Sequence, residues 1–241
     1  MKAKNLFYVN LILYNILFLV LFSSCSARID GEVYEGGRVE LRLSSSLGTR
    51  TIALIRSMRG FMGEGTDAPI LDGNNISASM SNSPGMGSIS LVNTSPSSLE
   101  GTLSIIRVGD FLSLAGTDTR LITYTETASF SSIVFYLELE TAPALISMLS
   151  PEVEEYLLAL MAPAVLGDIY TREEYLSLLG MVYGRPLADE IAAAFITALI
   201  QFPRQPVSAL GGSINGRNVE YNIPLLDLLV LEEPLSYEVI W

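Results

Sequence analysis

The sequence predicts an α+β fold, in which a mixed or antiparallel sheet is combined with a central run of helices. Polar and apolar residues alternate at 38–43, a pattern typical of a half-buried strand. At about 141–201 the apolar residues take a helical spacing, and beyond 212 the alternation returns. Because strands come before and after the helices, this order indicates an α+β architecture.

An N-terminal β-α-β-β unit is expected first. The strand at 38–43 is followed by Ile52, Ile55, Met58 and Met62, whose spacing predicts a helix over 48–62. Residues 86–108 predict two strands joined by a turn at 95–98. Further strands are predicted at 120–126 and 131–139, and the second is apolar on both faces, which favours the middle of a sheet.

The central helices carry start and stop signals. Residues 150–152 combine a serine N-cap with proline at the first helical position. Thr171 and Glu174 form a capping-box pattern, and Gly184 is a typical stop. Pro186 is expected to open a further helix that runs to about Gln201.

The C-terminal part is predicted to be a β-hairpin followed by a strand. Asn215-Gly216 is a common hairpin turn, and residues 219–223 alternate after it. Residues 234–241 alternate as well. The strand ends in Trp241, which we expect to lie in the core.

The first residues have the pattern of a secretory signal peptide. Lys2 and Lys4 precede an apolar run at 6–22 and two small serines, and Cys25, the single cysteine of the chain, follows. An uncleaved membrane span is the alternative, since the run is slightly shorter than the roughly 20 residues that cross a bilayer.

Residues 22–25, Phe-Ser-Ser-Cys, resemble the lipobox of bacterial lipoproteins, in the relaxed form accepted in spirochaetes. The usual leucine position holds Phe22, and Leu21 lies one residue earlier. The resemblance implies cleavage before Cys25, a diacylglycerol on its thiol and an acyl group on its new amine. It also implies a lipid-anchored protein of the cell membrane or outer membrane that faces the periplasm or the exterior.

The domain organisation follows from these boundaries. Residues 1–24 are expected to be the signal peptide, and residues 25–31 the lipidated cysteine and a short tether. Residues 32–241 are long enough for one α+β domain, with possible lobes at 32–140 and 141–241.

Composition excludes several classes of chemistry. The chain has no His, and its only lysines are Lys2 and Lys4, so Ser-His-Asp triads, a Walker A loop and Schiff-base catalysis are not expected after cleavage. Without His or a free Cys, no transition-metal site is expected, and no cofactor is predicted. The net charge of −12 makes a nucleic-acid partner unfavourable, because phosphate backbones are repelled.

Acidic residues are concentrated in the second half. Residues 121–241 contain sixteen acids and four arginines. This asymmetry makes the acidic helical region a candidate surface for a basic protein or a divalent cation, and the alternative is a solvated surface.

Carboxylate catalysis remains open as an alternative to a binding role. Two carboxylates can hydrolyse a glycosidic bond. The candidates are Glu138 and Glu140, expected on one face of a strand, and the doublets Glu154-Glu155, Glu173-Glu174 and Glu232-Glu233. The alternative for the helical doublets is stabilisation of a helix N-terminus.

Two further groups have structural alternatives. Residues 72–75, Asp-Gly-Asn-Asn, offer oxygen ligands but lack the spacing of an EF-hand, so a turn is favoured over calcium. Tyr156, Tyr175 and Tyr183 fit helix packing better than sugar stacking. No catalytic, cofactor or metal residue is therefore predicted, and Cys25 is the predicted lipidation site.

Three functions are consistent with these features. The first is a lipid-anchored envelope protein that works by binding or assembly. The second is an envelope-glycan hydrolase that uses paired carboxylates. The third is a carrier that holds an apolar ligand between the sheet and the helices, and a closed apolar cavity would favour it.

Overall fold

The computed structural model describes residues 26–62, 69–111, 121–146 and 151–241. Cys25, the predicted signal peptide and Ser150 lie outside these residues. The described residues form eleven strands and eight α-helices. The strands are β1 (Ser26–Val33), β2 (Val39–Ser46), β3 (Met86–Ser95), β4 (Ser98–Ile105), β5 (Ile122–Glu126), β6 (Ser131–Leu137), β7 (Phe195–Gln201), β8 (Ser208–Leu210), β9 (Gly212–Asn215), β10 (Asn218–Pro224) and β11 (Leu235–Ile240). The helices are α1 (Thr49–Met62), α2 (Gly73–Met80), α3 (Ala142–Ile146), α4 (Pro151–Ala159), α5 (Pro163–Leu166), α6 (Arg172–Tyr183), α7 (Arg185–Ala192) and α8 (Leu225–Val230).

The strands form a mixed seven-stranded sheet and an antiparallel four-stranded sheet. The order in the larger sheet is β3-β4-β2-β1-β7-β10-β9, in which β1 and β7 are parallel and the other neighbours are antiparallel. The order in the smaller sheet is β5-β6-β11-β8. The predicted α+β class is confirmed, and β6 lies inside its sheet as its apolar faces indicate.

Strand β1 differs from the predicted tether. Residues 26–31 pair with β2 on one side and with β7 on the other, so they lie in the middle of the larger sheet. The hydrophobic signal of β1 is weak because Arg28 and Asp30 alternate with the small residues Ala27 and Gly31. The prediction of a tether over these residues was therefore wrong.

Helix α7 is also shorter than predicted. It ends at Ala192, and β7 follows at Phe195–Gln201 between β1 and β10. The apolar residues of 195–201 fit a helical or a buried-strand pattern equally well, and long-range pairing selects the strand. The predicted helical run is thus confirmed to about residue 192.

The main core lies between the two sheets. Buried residues of the larger sheet, such as Val33, Leu103 and Val219, pack in one cluster with Val239 and Trp241. Trp241 is 4% exposed, and its ring centroid lies 5.0 Å from that of Phe202. Its predicted burial is confirmed.

A second core joins the helices. It contains Tyr175 and Leu179 of α6, Ile191 of α7, and Leu229 and Val230 of α8. The strand pairings and core clusters connect elements from β1 to β11, so the N-terminal strands, the helices and the C-terminal strands pack together.

Candidate functional site

An apolar cavity of about 370 Å³, partly open to solvent, lies between one end of the larger sheet and five helices. We call it the helix–sheet cavity. Its sheet wall is the end at which β1 and β7 begin and β2 ends. Its helix walls come from α1, α2, α4, α7 and α8. The lining residues include Ser26, Ala27, Ser45, Ser46, Phe195 and Ile196 from the sheet, and Leu54, Ile55, Ile76, Leu157, Ala159, Ile191 and Leu229 from the helices.

Strand register explains the sheet wall. Ala27 pairs with Ser45 on β2 and with Ile196 on β7, so three neighbouring strands present small or apolar residues at the same level. The small side chains of Ala27 and Ser45 leave space that a larger residue would occupy. Pockets for small molecules commonly measure about 300–1,000 Å³ and are mostly apolar, so this cavity has the size and lining of a ligand site.

Two polar side chains beside the cavity, those of Tyr156 and Arg59, have hydrogen-bond partners. The Tyr156 hydroxyl donates a hydrogen bond to the backbone oxygen of Ile70, and the Arg59 guanidinium donates one to the same hydroxyl. Arg59 also donates to the backbone oxygen of Pro69 at 2.9 Å. Because these groups bond to each other and to the backbone, the helix walls present mainly carbon atoms to the cavity.

Glu190 of α7 fixes the start of α1 beside the cavity. Its carboxylate accepts hydrogen bonds from the backbone N–H groups of Arg50 at 2.9 Å and Thr51 at 2.8 Å, and from the Thr51 hydroxyl at 2.8 Å. A negative charge at a helix N-terminus is favourable, because the first N–H groups lack partners within the helix. Helix α1 has no acidic residue of its own in its first turn. The absence of an acidic residue from the first turn of α1 is the one feature of the sequence that indicates a cap from elsewhere in the chain.

Gly48 makes room for this cap. A Cβ atom at Gly48 would lie 2.3 Å from the Glu190 carboxyl carbon, which is too close for any other residue without displacement. Sequence reasoning did not select Glu190, because its partners are about 140 residues away along the chain.

Four of the candidate carboxylates surround one cleft of about 330 Å³. Its lining includes Glu138, Glu140, Glu174 and Glu232. Glu138 and Glu140 were predicted on one face of a strand, but β6 ends at Leu137 and both residues lie beyond it. The prediction of a shared strand face was wrong because Thr141 hydrogen-bonds to the Glu138 backbone and closes a turn.

Three of these carboxylates already bind neighbouring groups. Glu174 accepts bonds of 2.9 Å from the backbone N–H and the hydroxyl of Thr171, and these bonds lower its pKa. Glu232 accepts a 2.9 Å bond from the backbone N–H of Arg172. Glu138 accepts a 2.9 Å bond from the Tyr136 hydroxyl. A carboxylate that acts as a general acid needs a raised pKa, whereas the hydrogen bonds from Thr171 lower the pKa of Glu174.

The remaining acidic candidates are exposed. Glu154, Glu155 and Glu173 lie on the solvent side of their helices, and Glu233 is exposed in the segment after α8. Among the described residues, no group of three or more acidic, histidine or cysteine side chains is placed to hold a metal ion. Asp72 accepts hydrogen bonds from the backbone N–H groups of Asn74 and Asn75 and so caps α2. Residues 73–75, predicted as part of a turn, form the first turn of this helix instead.

The helical tyrosines hold the helices together. Tyr175 is fully buried, and its hydroxyl donates to the backbone oxygen of Leu160 at 3.0 Å. The Tyr183 hydroxyl donates to the backbone oxygen of Ala159. The predicted packing role is therefore confirmed for both.

A smaller apolar cavity of about 260 Å³ lies between the two sheets. Its lining, which includes Val39, Ile105, Ile133 and Tyr237, belongs to the main core cluster or packs against it. The helix–sheet cavity is larger, and its wall includes Ser26, the residue that follows Cys25. It is therefore the better candidate for a ligand site.

Across the described parts of the chain, no helix combines the length and apolar content that a bilayer crossing needs. No protein-family model matches the chain, and no curated protein matches it. The chain is similar to the folded domain of the lipoprotein LppM from Mycobacterium tuberculosis, solved by NMR, with 9% sequence identity over 90% of this chain and 88% of that one. The TM-score is 0.37, which indicates neither a shared fold nor a shared function.

Proposed function

We propose that this chain is a lipid-anchored envelope protein that binds an acyl chain, without catalysis, in the helix–sheet cavity. The observation that carries the proposal is the cavity of about 370 Å³, with an almost wholly apolar wall. Each methylene group that leaves water for such a site contributes about 0.8 kcal/mol. A linear hydrocarbon chain can therefore gain several kilocalories per mole without any polar contact.

The position of the cavity supports a lipid as the ligand. Ser26 and Ala27 lie on its wall, and the predicted lipidation site Cys25 precedes them directly. An anchor at Cys25 would hold this end of the larger sheet at the membrane surface. The nearest abundant apolar molecules there are membrane lipids.

The carboxylate alternative has less support. The acidic cleft contains glutamates that cap α6 or bond to a neighbouring tyrosine, and such bonds are structural. A hydrolase would need one carboxylate held neutral and a second held ionised. A binding role needs only the cavity.

Binding can be tested on residues 26–241 with cis-parinaric acid, a fluorescent fatty acid. The wild-type domain is expected to bind the probe, and Ala159→Leu, which adds bulk to the cavity wall, is expected to weaken binding. Ala53→Leu makes the same change at an exposed alanine of α1 that does not line the cavity, and it is the control. Equal affinities for all three proteins, with thermal unfolding unchanged, would exclude the cavity as the site.

The anchor can be tested in cells that are fed labelled palmitate. The wild type is expected to incorporate the label and to fractionate with membranes, whereas Cys25→Ser is expected to do neither. Equal labelling of the two proteins would contradict lipidation at Cys25.

A further inference from the structure

We propose that the helix–sheet cavity also accepts an acyl chain of the protein's own lipid at Cys25, so that anchor and free ligand compete for one site. The proposal rests on the function proposed above and adds a form of regulation to it. The occupant is the lipid on Cys25, which lies outside the described residues, and its point of attachment directly precedes Ser26, where β1 begins.

Strand pairing fixes that position. Ser26 pairs with Ser46 of β2 and with Phe195 of β7, and all three residues line the cavity. Consecutive Cα atoms across a trans peptide are about 3.8 Å apart, so only one residue's length separates the attachment residue from Ser26 on the cavity wall. A lipid on the Cys25 sulfur would therefore start next to the cavity wall, with no spacer between them.

An acyl chain attached next to the cavity wall can enter the cavity without first diffusing through solvent. Short covalent connections produce effective concentrations on the order of millimolar, which favours the attached chain over a free one of equal affinity. The cavity is apolar, as the bilayer interior is, so the same chain can occupy either. The anchor therefore has two alternative environments, one in the membrane and one inside its own domain.

Competition makes the two binding events reciprocal. A free acyl ligand in the cavity excludes the protein's own chain and leaves it to the membrane. When the acyl chain on Cys25 occupies the cavity, the affinity of the cavity for free ligand falls. Thermodynamic linkage requires that each occupant lower the affinity for the other by the same factor. Ligand loading would therefore strengthen membrane attachment.

The single cysteine permits a direct test. In residues 25–241, Cys25 is the only thiol, and N-hexadecylmaleimide adds to it through a new carbon–sulfur bond while the thiol proton moves to the adjacent carbon. N-ethylmaleimide gives the matched control with the same linkage and no long chain. Monomers of each product, separated by size exclusion, are titrated with cis-parinaric acid.

The hexadecyl product is expected to bind the probe at least about tenfold more weakly than the ethyl product, because the attached chain fills the cavity. The ethyl product is expected to match the unmodified domain. Equal affinities of the hexadecyl and ethyl products would overturn self-occupancy and leave the proposed function intact. Failure of the unmodified domain to bind would overturn both.

A second measurement is independent of the probe. With the hexadecyl chain attached, Ala159→Leu is expected to sediment with phosphatidylcholine vesicles more than the wild type does, because a filled cavity releases the chain to the bilayer. Ala53→Leu with the same chain is expected to behave as the wild type. Equal sedimentation of the three proteins would overturn the proposal.

Discussion

The Glu190 carboxylate lies 2.8 Å from the backbone nitrogen of Thr51 and 2.8 Å from its hydroxyl. This contact ties α7 to the first turn of α1. Thr51 is 4% exposed and lines the helix–sheet cavity, as does Ile191 next to Glu190. The cap thus holds two walls of the cavity in place.

Replacing Glu190 with alanine should destabilise the domain by about 2 kcal/mol, because loss of a helix cap costs about 0.5–2 kcal/mol and hydrogen bonds to charged groups contribute about 1.5–3 kcal/mol. Urea unfolding of residues 26–241 measures the change. Asp189→Ala is the control, since its 3.7 Å pair with Arg185 is exposed and should contribute little. Similar unfolding midpoints for the two variants would contradict the structural role of Glu190.

Strand β1 should be indispensable for folding. A chain that begins at Ser26 is expected to unfold cooperatively, whereas one that begins at Tyr34 should not fold, because β2 and β7 would lose the strand that joins them. Circular dichroism and size exclusion compare the two. A cooperative transition in the shorter chain would show that residues 26–33 act as a tether after all.

Stability should fall at alkaline pH. Burial raises the pKa of Tyr221 to about 12, and burial and a hydrogen bond to Glu126 raise the pKa of Tyr124 to about 12. An unfolded tyrosine has a pKa of about 10, so these phenols stabilise the fold fully below pH 10 and lose that contribution as the pH rises towards 12.

This pH dependence can be measured by urea unfolding between pH 7 and pH 12. Tyr221→Phe removes one of the phenols and should reduce the loss of stability above pH 10. At pH 7 both phenols are neutral in the folded and unfolded states. A difference in unfolding free energy between Tyr221→Phe and the wild type at pH 7 therefore comes from effects other than titration, such as packing. An identical alkaline loss in wild type and variant would rule out a contribution of Tyr221.

The acidic helical surface should mediate any contact with a basic protein. Glu154, Glu155 and Glu173 are exposed, so changing all three to glutamine should remove such partners from a pulldown without unfolding the domain. Glu174 is left intact because it caps α6. Binding should weaken with salt, since exposed charges are screened beyond about 10 Å at 0.1 M.

A second variant controls for net charge in this pulldown. Glu100, Glu126 and Glu220 are exposed on strands, and changing them to glutamine removes the same charge elsewhere. Partners that both variants retain at low and high salt would identify the helical acids as a solvated surface.

Several elements could be predicted because their signals lie within a few residues. Helix α1 follows from apolar spacing, and the capping box of Thr171 and Glu174 marks the start of α6. The predicted hairpin joins β9 and β10, but its two-residue turn is Gly216-Arg217, one residue later than predicted, because Asn215 pairs with Asn218 as the last residue of β9. Each of these depends on local backbone geometry, which neighbouring residues determine.

The candidate site was only partly predictable. Composition excluded histidine and lysine chemistry, the signal-like run before Cys25 indicated a lipidation site, and a carrier of an apolar ligand was one of three functions left open. Residues such as Ala27 and Ala159 give no sign of a cavity on their own, because small apolar residues occur throughout the core. Their shared position becomes visible only when β1, β7 and α4 are brought together.

The sequence by itself determined the α+β class, the helical region, the C-terminal hairpin and the burial of Trp241, because periodicity and turn chemistry act over short distances. The tertiary structure alone decided that residues 26–31 and 195–201 are paired strands and that Glu190 caps α1. Those outcomes depend on hydrogen bonds between residues that are far apart in the chain. Their patterns are weak or ambiguous locally, and only the partner strand or helix selects one conformation.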